Sequence, residues 1–180
     1  MPANKPNRKI ATKKQRLTET IAALTALQFG PKQRNETAAY TLLALLDLRP
    51  DVSWAAAEDP LRGITPIINF IAKAYGVGYA PNTRETIRDD AVKFFMETGL
   101  LLRNPDDPNR PTNSGRTVYQ IEPSALALLR KVGTRDWPIA LKAYLISREG
   151  LKNEMARTRH LTRVPVTLPD GSRVALSPGG

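Results

Sequence analysis

Cysteine is absent from this 180-residue chain, and histidine occurs once, at His160. Without thiols there is no zinc ribbon, no disulfide scaffold and no thiol chemistry, and nothing demands an oxidising compartment. A single imidazole is too little for a His-based metal cage or a Ser-His-Asp triad, and it reads more simply as a polar residue in a basic segment. No apolar run approaches the roughly 18 residues of a membrane-spanning helix. The opening Met-Pro-Ala-Asn-Lys-Pro has no apolar core of a secretory signal. These absences predict a cytoplasmic protein without a membrane partner.

Catalytic groupings are missing too. A Mg²⁺-dependent nuclease of the PD-(D/E)xK type needs an Asp and an acid-x-Lys pair to hold the metal and activate water. None of the 17 acidic residues has a lysine two positions later. Asp51, Asp106 and Asp170 each follow a proline and read as turn residues. Asp89-Asp90 and Asp106-Asp107 are neighbours in sequence, but adjacent carboxylates on a helix diverge. There is no glycine-rich phosphate loop. The expectation is a chain with no catalytic centre and no cofactor of its own.

Positive charge is abundant. Lys and Arg number 27 against 17 acids, a net charge of +10. On a domain with an ordinary apolar content of 41%, that surplus favours a polyanionic partner, most commonly nucleic acid. The surplus is uneven: Lys5, Arg8, Lys9, Lys13, Lys14 and Arg16 all precede the first acid, Glu19. Residues 1–15 therefore read as a basic flexible arm able to lie along phosphates or in a minor groove. The plain alternative is a solvated tail.

Residues 16–160 read as one mainly helical domain. Leu17, Ile21, Leu24 and Leu27 recur at helical spacing and predict a first helix over 16–27, ended by Gly30-Pro31. A second helix over 35–48 is apolar from Tyr40 to Leu46, which places it at the centre of the core. Residues 52–62 read as a loop with one turn near Trp54–Ala57. Thr65-Pro66 predicts an N-cap and a proline at the first helical position, with Ile67, Ile68, Ile71 and Ala74 buried and Gly76 as the stop. Asn82 and Glu85 have the spacing of a capping box for the next helix, which carries Ile87, Ala91, Phe94 and Phe95 and ends at Gly99.

Two strands come next, 100–103 and 117–121, joined by a loop rich in Pro, Asn and Asp with Arg110 and Arg116 at its far side. Pro123–Val132 is a short helix, and a longer one starts at Asp136-Trp137-Pro138, with a break expected at Gly150. Residues 161–180 form a second β-hairpin, with Asp170-Gly171 at its turn, and lead onward as a linker.

Helix, turn, helix, hairpin is the order of a winged helix-turn-helix domain with a short β-hairpin wing. Its second helix enters the major groove. With Ile87, Ala91, Phe94 and Thr98 inward, Glu85, Thr86, Asp89 and Lys93 face outward, flanked by Arg84 and Arg88. Asn82 and Thr83 sit at the N-terminal tip. Arg84 and Arg88 are candidates for guanine, and Asn82 for adenine or a phosphate. Glu85 and Asp89 oppose phosphates, yet each has a structural role available, Glu85 in the cap and Asp89 paired with Lys93.

Several blocks also carry a family resemblance: Gly63–Ile68, Tyr79–Arg88, Asn104–Ser114, Val118–Pro123 and Val164–Gly179. Here, from about Gly30 onward, the chain resembles the BsuBI/PstI family of type II restriction endonucleases. The resemblance implies an N-terminal helix-turn-helix region preceding a Mg²⁺-dependent nuclease domain that cuts a short palindrome in double-stranded DNA; reading a palindrome from two half-sites would call for a homodimer. It implies that Asn82–Arg88 lies on the DNA-reading helix. It also implies that the nuclease half lies beyond this chain, leaving a non-catalytic recognition module. Two other readings stay open from sequence: a free winged-helix regulator, and a protein-interaction domain whose basic charge is incidental.

Overall fold

The computed structural model describes residues 11–161, 164–167 and 173–176. They form a mainly helical chain that divides between Leu141 and Lys142 into two compact units. In the first, α1 (Lys13–Ala26) opens with a capping box. Thr12 accepts from the Gln15 amide at 3.1 Å, and the Gln15 side chain accepts from the Thr12 amide at 2.8 Å. The helix thus takes in Lys13, Lys14 and Gln15, which the sequence places in the arm. Arm residues 1–10 lie outside the described residues.

The buried face of α1 is Arg16, Thr20, Ala23 and Leu24, while Leu17 and Ile21 lie at its margin. The expected Leu17–Ile21 stripe is rotated because Arg16 is drawn inward. Its guanidinium donates to Glu19 at 2.7 Å, to the Pro50 carbonyl at 3.2 Å and to the Val52 carbonyl at 2.6 Å.

Helix α2 (Glu36–Leu45) is capped by Asn35, whose side chain accepts from the Ala38 amide at 2.9 Å. Every residue from Thr41 to Leu46 is wholly buried, and α2 packs against α1 on one side and against later helices and a strand on the others. An apolar run on all sides of a helix has to be surrounded, and this one is. A 3-10 turn at Trp54–Ala56 occupies the expected loop.

Helix α3 (Ile64–Tyr75) buries Ile67, Ile71 and Tyr75. It starts earlier than Thr65-Pro66 predicts: Gly63 is the N-cap, and Thr65 and Pro66 lie exposed in the first turn. Proline is tolerated throughout that turn because its amides have no partner within the helix. Gly63 suits this close approach, since a Cβ would stand a tight 3.0 Å from the Thr117 carbonyl. Gly76 ends α3 in the left-handed region, at φ 74°.

The next helix, α4, runs over 83–97 in three parts: α-helical Thr83–Thr86, a π-helical Ile87–Val92 and α-helical Lys93–Glu97. In the middle part the Lys93 amide reaches the Arg88 carbonyl, an i to i+5 bond. The inward residues are Ile87, Ala91, Val92 and Phe95, with Phe94 and Thr98 only half-buried. Phe95 is buried as the apolar stripe predicts, and the wider turn brings Val92 inward where regular spacing favours Phe94 and Thr98. Phe95 meets Phe29 edge-on, ring centroids 5.3 Å apart.

Strands β1 (Leu101–Arg103) and β2 (Tyr119–Ile121) pair antiparallel, Arg103 opposite Tyr119. On its other side Tyr119 exchanges two backbone hydrogen bonds with Arg62, at 3.0 and 2.9 Å. Helix α5 (Pro123–Leu129) comes after β2, capped by Glu122. Helix α6 (Trp137–Leu161) runs without interruption through Gly150, where the sequence predicts a break. The expected C-terminal hairpin is present as β3 (Val164–Thr167) paired with β4 (Arg173–Leu176), and its turn lies outside the described residues. Among the described residues no helix is long and apolar enough to cross a membrane.

Candidate nucleic-acid interface

Consecutive α3 and α4 and the β1–β2 hairpin enclose an open concavity of about 510 Å³. Its lining includes Arg84, Arg88, Asp89 and Lys93 from α4, Arg103 from β1, and 112–115 with Thr117 from the hairpin loop. Four cations and one carboxylate therefore face the same space. Tyr119 lies at its base with the phenol held above its ordinary pKa, mainly by burial.

The predicted site residues divide into two groups. Arg84, Arg88, Asp89 and Lys93 converge on the concavity, and all four are exposed. Glu85 and Thr86 are exposed on the same helix outside that lining, and Asn82 and Thr83, at the start of the helix, are outside it too. The expected capping box is not made. Asn82 already has helical dihedrals, φ −71° and ψ −12°, and its side chain makes no cap bond. The first amides of α4 are instead served by main-chain carbonyls, Thr83 to Ala80 at 2.9 Å and Glu85 to Asn82 at 3.3 Å. Asp89 also departs from expectation. Its bonded partner is Arg88, from Nε to Oδ1 at 3.0 Å and Nη2 to Oδ2 at 3.4 Å. The pair holds the Asp89 carboxyl below its ordinary range, chiefly through the hydrogen bond from Arg88.

Arg110 and Arg116 behave differently from one another. Arg110 folds back into its loop and grips Asp106 with two hydrogen bonds, at 3.1 and 2.7 Å, and Asn104 with a third at 2.9 Å. Asn104 is buried, takes a left-handed φ of 46°, and accepts from the Val118 amide at 3.0 Å, so these residues set the shape of the loop. Arg116 is exposed on that loop beyond the concavity. Arg103 is the cation that sequence reasoning missed. It donates to the Thr112 carbonyl at 2.7 Å, which ties the strand to the loop and points its guanidinium along the concavity wall. Its position at the end of a three-residue strand was the available signal.

Residues 14–153 match the helix-turn-helix domain of the BsuBI/PstI restriction endonucleases. The chain belongs to that family. It is 40% identical over 161 residues to the type II restriction enzyme BsuBI of Bacillus subtilis, covering 89% of this chain and 51% of that protein. It is 34% identical over 180 residues to the type II restriction enzyme AplI of Arthrospira platensis, covering 100% of this chain and 54% of that one. The solved structure of SdaI restriction endonuclease superimposes with a TM-score of 0.71 at 28% identity, over 95% of this chain and 52% of that chain. The chain thus spans about half the length of the relatives it matches.

These matches overturn the expectation that the chain is no enzyme. Nearly all of its length corresponds to proteins that are restriction enzymes. The expectation failed because the lack of one metal-binding signature in a stretch of chain does not decide whether a protein is an enzyme. Among the described residues, no group of three or more His, Cys, Asp or Glu could hold a metal. No step through Mg²⁺ is therefore assigned to them.

Proposed function

We propose that this chain is the sequence-reading part of a type II restriction enzyme, built as a winged helix-turn-helix. Helix α4 enters the major groove and the 104–118 loop acts as the wing. The observation that carries this reading is the concavity between them. It gathers Arg84, Arg88, Lys93 and Arg103 beside the N-terminal tip of α4, on a domain whose family is a helix-turn-helix family. The Arg62–Tyr119 bridge supports it further, since it flanks the hairpin with a third short extended segment, as in a wing built on a small sheet.

In this reading Arg84 and Arg88 reach base edges or the phosphates bordering them, and Lys93 holds the backbone. Asn82, Thr83, Glu85 and Thr86 approach the groove from the helix tip. Arg116 meets phosphate from the loop, whose shape Arg110 maintains. The partner is double-stranded DNA with a short palindromic site, and two copies of the protein match its two-fold symmetry. The whole protein acts in the cytoplasm and cuts that site with the Mg²⁺ its family resemblance implies.

Selection of duplexes from a random library at near-physiological salt tests the reading. Enrichment of a short palindrome or half-site is expected. Arg84→Ala and Lys93→Ala should each weaken binding, and a pure phosphate contact should lower the salt slope by about one. Binding without enrichment would reduce the domain to a backbone grip, and absence of binding would leave a protein-interaction domain.

A further inference from the structure

Residues 88 and 89 are neighbours on a helix, and neighbours on a helix do not face each other. They are nevertheless bonded, with side chains 55% and 58% exposed. The bond ties the Arg88 guanidinium to the next residue of its own helix while leaving its side chain more than half exposed. It does so where α4 is π-helical and the Arg88 carbonyl takes its i+5 bond, a distortion that recurs at functional sites. The ion pair also lies in the wall of the concavity that carries the proposed DNA contacts.

The carboxylate occupies one edge of the guanidinium. Nε gives its only hydrogen to Oδ1, and Nη2 directs one toward Oδ2. The other edge, Nη1 with the second hydrogen of Nη2, stays open. That edge is the fork that fits guanine O6 and N7. Asp89 is otherwise a liability, because a carboxylate facing DNA opposes phosphates on every sequence alike. The cost is offset only where the carboxylate improves a base contact.

We propose that Asp89 is a positioning residue that locks Arg88 as a reader of guanine, trading general affinity for sequence discrimination. The inference rests on α4 being the DNA-reading helix. A freely rotating arginine can turn to a phosphate or to another base's acceptor; one held on its Nε edge presents a single fork in a single direction. The pair therefore specifies guanine at one position of each half-site.

Asp89→Asn and Arg88→Lys in the same duplex selection, with affinities measured on the selected site and on a scrambled duplex, test this. Both positions are exposed, and melting curves matching the parent confirm folding. Asp89→Asn should bind the scrambled duplex several-fold more tightly, while the preference for guanine at one position falls roughly tenfold or more. Arg88→Lys should lose that same preference, because a lysine has no fork. An equal gain on both duplexes in Asp89→Asn would make the carboxylate a bystander and overturn the inference. So would a selected site whose every preference survives in Arg88→Lys, with the DNA-reading role of the domain left intact. If the parent chain enriches no sequence, the DNA-reading role fails and this inference fails with it.

Discussion

Arg16 follows directly on the basic arm that the sequence places over residues 1–15, yet it is only 5% exposed, while Lys13 and Lys14 before it are exposed. Replacing it with alanine removes the donors of two main-chain carbonyls, Pro50 and Val52, which no helix or strand serves. Charge-assisted bonds of that kind contribute about 1.5–3 kcal/mol each. The Glu19 partner is 42% exposed, so it regains water and adds little. The packing of the guanidinium over Trp54, 5.8 Å from the ring centroid, is lost as well. A loss of about 3 kcal/mol or more is a large part of the roughly 5–15 kcal/mol that holds a domain together, and corresponds to a melting point lower by roughly 10 °C. Thermal and urea melts followed by circular dichroism measure it, with Lys14→Ala as the control that should melt like the parent. Arg16→Lys should recover only a fraction, because Arg16 serves both carbonyls through Nη2 and Glu19 through Nη1, and the single nitrogen of a lysine replaces only one of the two. Salt-dependent binding to a random duplex supplies the opposing test. If Arg16→Ala keeps the parent melting point but lowers the salt slope by about one, then Arg16 is a phosphate contact, and its burial has been misread.

Tyr75 donates its hydroxyl to the Leu48 carbonyl at 2.6 Å inside the core, so Tyr75→Phe should cost about 1–2 kcal/mol in urea unfolding. Burial chiefly raises the phenol well above its ordinary value; its contribution is fully present below that ordinary value near 10 and is lost as pH climbs through the folded one. Alkaline melts should therefore be steeper for the parent than for Tyr75→Phe, and identical pH profiles would refute the assignment. Gly150→Ala should stabilise α6 by roughly 0.5–1 kcal/mol, because the helix is continuous there and an added Cβ meets nothing within 4 Å. Faster amide exchange around residue 150 in the variant would instead restore the break that the glycine suggests.

The order of elements was legible because the strongest signals are local. Apolar spacing located α2 through the run 40–46, Gly76 and Gly99 stopped their helices, and the Pro- and Asn-rich stretch after Arg103 joined two strands. What was illegible depended on non-local partners. The inward turn of Arg16 is set by carbonyls more than thirty residues away, and no helical periodicity encodes it. The π-helical segment of α4 brought Val92 into the buried set and left Phe94 and Thr98 only half-buried, and spacing rules built on 3.6 residues per turn cannot anticipate that. The cap at Asn82 failed for a related reason, since a preceding turn already satisfied the amides. The candidate site was half legible: its helix was found, but Arg103 needed the hairpin's register, and the inward fold of Arg110 needed the loop's geometry.

The same contrast governs how the net charge should be read. A charge of +10 invites the idea of a protein coated for polyanions, yet several cations are engaged in the fold itself. Arg16, Arg62, Arg110 and Arg130 each point a guanidinium at carbonyls or carboxylates near the ends of elements and in the loops between them: Arg62 at Ala44 and Asp47, and Arg130 at Ala57 at 2.9 Å. Arg62 also stacks on Phe70, 4.6 Å from its ring centroid. A fold whose central helix is wholly buried from Thr41 onward offers the loop carbonyls around it few donors, and arginine, with five N–H groups on a long stem, reaches them where a shorter side chain does not. Net charge therefore overstates the positive charge left free at the surface. What marks the proposed interface is the set of cations that the fold leaves facing one concavity, Arg84, Arg88, Lys93 and Arg103, and the one acid placed among them. If charge density alone made the surface work, Asp89 would be its weakest element. Its bonded position beside Arg88 is better explained by a surface that has to choose among sequences, because a choice requires that the wrong ones be made worse.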